Sequence, residues 1–438
     1  MGYRGKYGLI GPIIWGGFLV LSLVLGASPS WAQNVSVNPP KTESKAPESK
    51  APEAAKTPAQ TEAATQWFNL CQTGLPTEIS KALKDGAKVN EPDQYGFSPL
   101  TLAAAKNTSP LVLTLLLEAG ADPEAIEPNL GLNPLRAAAL FNHTPGPIRV
   151  LIPVTKDINE RDFSGNSALS LAAAQNPTVD VIETLVKSGA DMAVLDDMGT
   201  SVLTLAALSN PNPLVLTKLL ALGAKVNQVN QEGESVLHKV ARRTANPGII
   251  TELLKAGATL ELRSKSGETP FMAAAQNPAE SAISALVTAG ADPKVTDYDG
   301  NSALFGAALT NSNPNVIKYL LQLGLDVNLR NKMGVTPLMT AVANPEPQIT
   351  RLLLIQGANV HNEDEKGRDA LKIAARLADE PLVIKALLAA GADPYKKDRA
   401  GQTAFILADM NPNRKIAEVL TDWLNDRKGE PKNPSPAK

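Results

Sequence analysis

Residues 162–195 read Asp-Phe-Ser-Gly-Asn-Ser-Ala-Leu-Ser-Leu-Ala-Ala-Ala-Gln-Asn-Pro, then Thr-Val-Asp-Val-Ile-Glu-Thr-Leu-Val-Lys-Ser-Gly-Ala-Asp, then a short tail ending at Leu195. Within about 34 residues this stretch states a turn, a small-residue helix, a second turn, a bulkier helix and a glycine stop. The same statement recurs along most of the chain, so the chain reads as an array of one unit.

The register is carried by the glycine ahead of each first helix: Gly96, Gly131, Gly165, Gly199, Gly233, Gly267, Gly300, Gly334, Gly367 and Gly401. Successive steps are 33 to 35 residues. A hydroxyl residue usually follows, as in Ser98-Pro99-Leu100, Thr269-Pro270-Phe271 and Thr336-Pro337-Leu338. Such a residue predicts an N-cap that accepts a free helical N–H. Proline next to it fits the first helical position, where its missing N–H costs nothing.

Alanine steps such as Ala103-Ala104-Ala105 and Ala172-Ala173-Ala174 let neighbouring first helices stack closely. An Asn-Pro pair follows at Asn176, Asn210, Asn246, Asn277, Asn313, Asn344 and Asn411. It predicts the end of the first helix, because the residue before proline leaves the helical region, and the capped start of the second. The repeats beginning at Gly267 and Gly334 are one residue short just before this pair. Second helices carry the larger apolar residues, such as Val181, Ile182, Leu185 and Val186, at spacings that make one wide face. A Gly-Ala stop and a short extended finger complete the unit.

Turn, Thr-Pro-Leu-like start, Ala-Ala, second helix, Gly-Ala-Asp and finger together resemble the ankyrin repeat. The resemblance covers residues 67–425 and implies an all-α repeat solenoid of helix-turn-helix units with short finger hairpins. A capping half-repeat is expected over 67–90, ten ankyrin repeats over 91–425 and a polar tail over 426–438. Two departures stand out. Only His238, after Ser235-Val236-Leu237, keeps the histidine common in the family, and Asn-Pro or similar replaces the family's Gly-His between helices.

Residues 1–32 have the order of an export signal: basic Arg4 and Lys6, an uncharged run Leu9–Leu25, and small residues before a cleavage site after Ala32. Retention as an N-terminal anchor is the alternative, and either outcome places the repeats outside the cytoplasm, periplasmic or secreted. Residues 33–66 are rich in Pro, Ala, Lys and Glu and read as a disordered linker.

Net charge is −2; the leader and the tail from Asp426 each carry +2, which leaves the repeats at −6. A mildly acidic array lacks the basic stripe of a nucleic-acid binder. The single cysteine, Cys71, excludes an intramolecular disulfide. The three histidines fall at unrelated repeat positions, and no nucleophile elbow, P-loop or dinucleotide fingerprint is present. The reading is therefore non-enzymatic, without metal or cofactor.

What remains is surface. The resemblance implies one or more protein partners held on a concave face made of finger tips and first helices. Tyr95, Phe163, Met198, Tyr298 and Met333 are apolar at tips where turns are normally polar. On a first helix, Arg242 and Arg243 replace small residues, either to clamp an acidic partner or simply to be solvated. With His238, these eight are the candidate binding residues. A spacer without a specific partner, or a secreted effector, is the alternative function. The repeat around Pro145, Pro147 and Pro153 lacks its Gly-Ala stop and follows a finger one residue longer than the rest. It is either a hinge or notch, or tolerated drift.

Overall fold

The computed structural model describes residues 58–428. The export-signal reading and most of the linker lie outside these residues. The described residues contain 22 α-helices, paired along the sequence, and no strand; isolated bridges such as Leu195 to Ser201 close some fingers. No described helix is long and apolar enough to cross a membrane. The described residues divide into two compact units, 58–172 with 184–190, and 173–183 with 191–428. Within each unit, first helices pack on first helices and second helices on second helices.

The caps form as the sequence dictates. Ser98 accepts from the Thr101 N–H, Thr269 from Met272, Thr336 from Met339 and Asp369 from Lys372. The stop and turn glycines take the left-handed conformation. At Gly267 (φ 87°) a Cβ would also sit 2.7 Å from the Tyr298 backbone nitrogen. That position therefore excludes a side chain on two counts. Second helices bury their predicted face: Val181, Ile182 and Leu185 are fully buried.

Three boundaries differ from expectation. The first helix opens at Pro58, inside the stretch read as linker, and pairs with Pro76–Lys84. The N-terminal cap is thus a full helix pair. Ala63-Ala64 favours helix locally, and Trp67 and Cys71, both buried, anchor it, with Trp67 Nε1 donating to the Lys88 carbonyl at 3.1 Å. Burial pushes the Cys71 thiol far above its ordinary pKa, which leaves it an inert core residue. At the other end, helix Lys415–Lys428 runs past the expected boundary at 426. In the two short repeats the missing residue contracts the first helix to five residues, Pro270–Ala274 and Pro337–Ala341, followed by a tighter turn in which Asn277 N–H reaches the Ala274 carbonyl.

The inter-helix asparagines do more than stop a helix. The residue just after the first helix recurs as Asn107, Asn142, Asn176, Asn210, Asn277, Asn311, Asn344 and Asn411. Its Oδ1 accepts the N–H two residues on, as from Ser109, Asn313 and Glu346. The Nδ2 of Asn107, Asn142, Asn210, Asn277, Asn311, Asn344 and Asn411 donates to two carbonyls of the preceding repeat. Asn142 reaches Ala104 and Asn107, Asn277 reaches Ala241 and Thr244, and Asn411 reaches Ala375 and Ala378, all at 2.7–3.1 Å. The result in each unit is a ladder of amides, nearly all buried, that stitches repeat to repeat. Asn107, Asn142 and Asn311 do this with no proline after them. The sequence pattern had merged two roles: Asn246 and Asn313 lie two residues further on and cap second helices by accepting from Gly248 and Asn315.

Candidate protein-binding face

Each finger but the long one before Gly131 is built on a polar residue three before the turn glycine. Asp162 Oδ1, for instance, accepts the N–H groups of Ser164 and Asn166 at 2.8–2.9 Å. This fixes the two tip residues between them and points them outward. Within the second unit the tips join a row: Lys265 N–H donates to the Glu232 carbonyl, Tyr298 to Ser266, Lys332 to Asp299, Glu365 to Met333 and Arg399 to Lys366, at 2.9–3.0 Å.

The structure places Tyr95, Phe163, Met198, Tyr298 and Met333 at tips, with 39–65% of each exposed. Two of them, Phe163 and Tyr298, are held by the fold. The Phe163 ring lies against Gly131 and the Tyr298 ring against Gly267, each covering the bare face of the preceding turn. The Arg263 guanidinium stands 5.9 Å from the Tyr298 ring centre. Such support costs a partner less ordering entropy at these side chains than at free ones.

His238 and Arg242 do not belong to an open face. His238 is fully buried. Its Nδ1 accepts from the Ser235 N–H at 3.2 Å, closing a capping box, which leaves Nε2 to donate to the Glu268 carbonyl of the next finger at 3.1 Å. Burial lowers its pKa, so it stays neutral. Arg242 spans Glu234 (2.6 Å) and Glu268, while Gln276 donates to the other Glu268 oxygen and Lys239 pairs with Glu234. A guanidinium held by two carboxylates has little left for an acidic partner. Arg243 is exposed.

The two carboxylates titrate in opposite directions. Burial opposes charge on Glu234, but Lys239 and Arg242 outweigh it and hold the carboxyl at about 2. At Glu268 burial prevails over Arg242, aided by the charge of Glu234, and the pKa rises. Glu234, depressed on folding, contributes stability above its unfolded pKa near 4.5, and that contribution is lost as pH falls toward 2. Glu268 acts with the opposite sign. Glu234→Gln is therefore expected to flatten the acid limb of a denaturant-midpoint-versus-pH curve between about 4.5 and 2, removing on the order of 1–2 kcal/mol after screening. An unchanged limb would show that the pair of cations does not stabilise the ionised form.

Sequence reasoning missed the deepest charges. Arg136 is fully buried; it donates to the Gly131 carbonyl at 2.7 Å and pairs with Glu160 at 2.9 Å. Lys372, also fully buried, pairs with Asp369 at 2.6 Å. Both occupy the first-helix position held by His238, three residues after the cap, and that shared register was the available signal. The long finger is equally purposeful. Glu127 stands where other fingers have Asp, Asn or Ser, and its longer side chain accepts the N–H groups of Asn129 and Leu130 at 2.7 Å across the longer loop. Leu130 then packs on the cluster of Phe97, Leu102, Leu132 and Leu140. In the following repeat the second helix ends at Leu151, passes through a 3-10 turn at Ile152–Val154, and Thr155 caps it through the Leu151 carbonyl. This repeat thus ends its second helix by other means than the glycine stop of its neighbours.

The model of the ankyrin repeat family, three copies per match, fits residues 104–196, 203–297 and 271–364. The chain belongs to the ankyrin repeat family. Ankyrin repeats in general mediate protein–protein interaction and are in general non-enzymatic. The chain is similar to the E3 ubiquitin-protein ligase KEG of Arabidopsis thaliana, 35% identical over 97 residues, which are 22% of this chain and 6% of that protein. It is similar to protein PhlB of Serratia liquefaciens, 34% identical over 97 residues, 22% of this chain and 42% of that one. The BTB/POZ domain and ankyrin repeat-containing protein NPR1 of Malus hupehensis is 39% identical over 87 residues, 20% of this chain and 14% of that one. The ankyrin chain thus matches less than half the length of each. Among the described residues no group of His, Cys, Asp and Glu could hold a metal ion.

Proposed function

We propose that this ankyrin protein is a non-enzymatic scaffold that binds a protein partner outside the cytoplasm. The binding face is formed by its finger tips and the exposed sides of its first helices. The observation that carries the reading is the exposure of large apolar residues at the tips, Tyr95 and Phe163 in the first unit and Met198, Tyr298 and Met333 in the second, with Phe163 and Tyr298 each supported by the preceding turn. Aromatic and methionine anchors of this kind dominate binding energy at interface centres. Of the basic residues on the first helices, Arg243 remains available to the partner, whereas His238 and Arg242 act by holding the face in shape. Export rests on the order of residues 1–32, and mass spectrometry of the mature N-terminus tests it: a start at Gln33 is expected, and an intact Met1 overturns cleavage.

The binding test uses the mature protein as bait in envelope and secreted fractions, beside the variants Met198→Asp and Tyr298→Ser. A partner retained by wild type and lost at least tenfold by each variant, with thermal melts unchanged, is the expected result. Retention of the same proteins by all three baits would overturn the assignment of the tips, and capture of none by wild type would favour a spacer.

A further inference from the structure

The amide ladder is interrupted twice, and both gaps fall in the second unit. In the register of Asn210, Asn277, Asn311, Asn344 and Asn411, the fifth repeat has Thr244 and the ninth has Ala378. The backbone at the gaps is that of the ladder. Thr244 has φ −78° and ψ 138°, and Ala378 φ −69° and ψ 138°, against −79° and 132° at Asn311. All three donate their N–H to the carbonyl four residues back, at 2.8–2.9 Å, and all three are buried. Only the side chain differs. The Thr244 hydroxyl turns onto its own loop, accepting the Asn246 N–H at 3.0 Å. Ala378 offers a methyl group. The carbonyls that the ladder register assigns to these positions, Ala207 and Asn210 at one gap and Val342 and Asn344 at the other, receive no amide from them.

A ladder amide makes two hydrogen bonds across the seam between repeats, and each contributes net stabilisation in a buried setting. An array in which each repeat touches only its neighbours opens first at its weakest interface. We propose that the second unit has two built-in seams, at Thr244 and at Ala378, where successive repeats part before any others. The loss of two amide bonds corresponds to an opening constant about 5–30-fold larger than at a stitched seam. The inference is independent of any binding role. Its consequence for one is direct: Met198 and Tyr298 lie on opposite sides of the Thr244 seam, so opening there changes the spacing of the tips.

Native-state hydrogen exchange on the whole chain tests the proposal. Amides of helices Val202–Ser209 and Val236–Arg243, and of Ala370–Leu377, are expected to exchange through larger opening constants than those of Ala303–Thr310, which is stitched on both sides. Thr244→Asn and Ala378→Asn should each raise protection 5–30-fold at its own seam and leave the other unchanged. Asn311→Ala should create a third seam. Equal protection at all seams of the wild type, or Asn variants that fold and change nothing, would overturn the idea. Should either Asn variant fail to fold, the wild-type exchange map and Asn311→Ala decide it.

Discussion

Arg242→Ala is expected to cost the second unit about 2–3 kcal/mol at neutral pH, read as a fall in denaturant midpoint. The guanidinium contributes little by itself; the loss comes from what it leaves behind. Glu234 and Glu268 face one another across the space it occupies, both largely buried, and its removal sets two like charges together without a shared cation. Lys239 still answers Glu234. Glu268 has only the Gln276 amide at 2.6 Å, and its carboxyl, already raised, should rise further. A carboxyl with a folded pKa above its unfolded one gains stability as pH falls. The deficit of the variant should therefore shrink between pH 7 and pH 5, whereas a loss of packing alone would not depend on pH. Arg242→Ala with Glu268→Gln should recover more than half of the loss. A deficit under about 0.5 kcal/mol, or one unchanged by pH, would refute this account of the network.

Asn277→Ala should cost about 2–3 kcal/mol for a different reason. No charge is involved. The substitution removes two bonds to the Ala241 and Thr244 carbonyls and one from the half-buried Ala279 N–H, and it strands the two buried carbonyls. Asn277→Asp separates the contributions. It keeps the acceptor for Ala279 but turns a carboxylate oxygen toward two carbonyls, so it should be worse than alanine although it is closer in size. Asn315→Ala, at an exposed asparagine, should stay within about 0.5 kcal/mol of wild type. An Asn277→Ala variant as mild as Asn315→Ala would mean that the ladder is decoration.

The fold was legible because the unit repeats its physics. Glycine stops, hydroxyl caps and apolar second helices are local devices, and ten copies in register leave little choice of architecture. Tip positions followed from the same register, which is why Tyr95, Phe163, Met198, Tyr298 and Met333 are found where the spacing put them. Most of the failures were at contacts between repeats. His238 and Arg242 read as surface residues because their partner, Glu268, is 26–30 residues away in the next finger. Arg136 went unnoticed because nothing local marks a first-helix arginine as buried until Glu160 is seen beside it. The asparagines were visible, but their reading stopped at the proline that follows. The side-chain reach into the preceding repeat depends on stacking geometry that a single unit does not contain. The start of the first helix at Pro58 was hidden by composition, since a stretch of Pro, Ala, Glu and Thr has no apolar period of its own and becomes helical where Trp67 and Cys71 anchor its end.

The buried position three residues after each cap bears on how such a chain can be edited. There the second repeat holds arginine, the fifth histidine and the ninth lysine. Arg136 and His238 are completed by the finger that follows, through Glu160 and the Glu268 carbonyl, whereas Lys372 is completed by its own cap. The modules are alike in outline yet not interchangeable. Moving the fifth module elsewhere, or recombining within the array so that the second and third are separated, would transplant half of a pair and bury an imidazole or a guanidinium opposite a stranger. Serial order along this chain is thus written in its interior. A library of shuffled modules should yield soluble protein chiefly where those neighbours travel together.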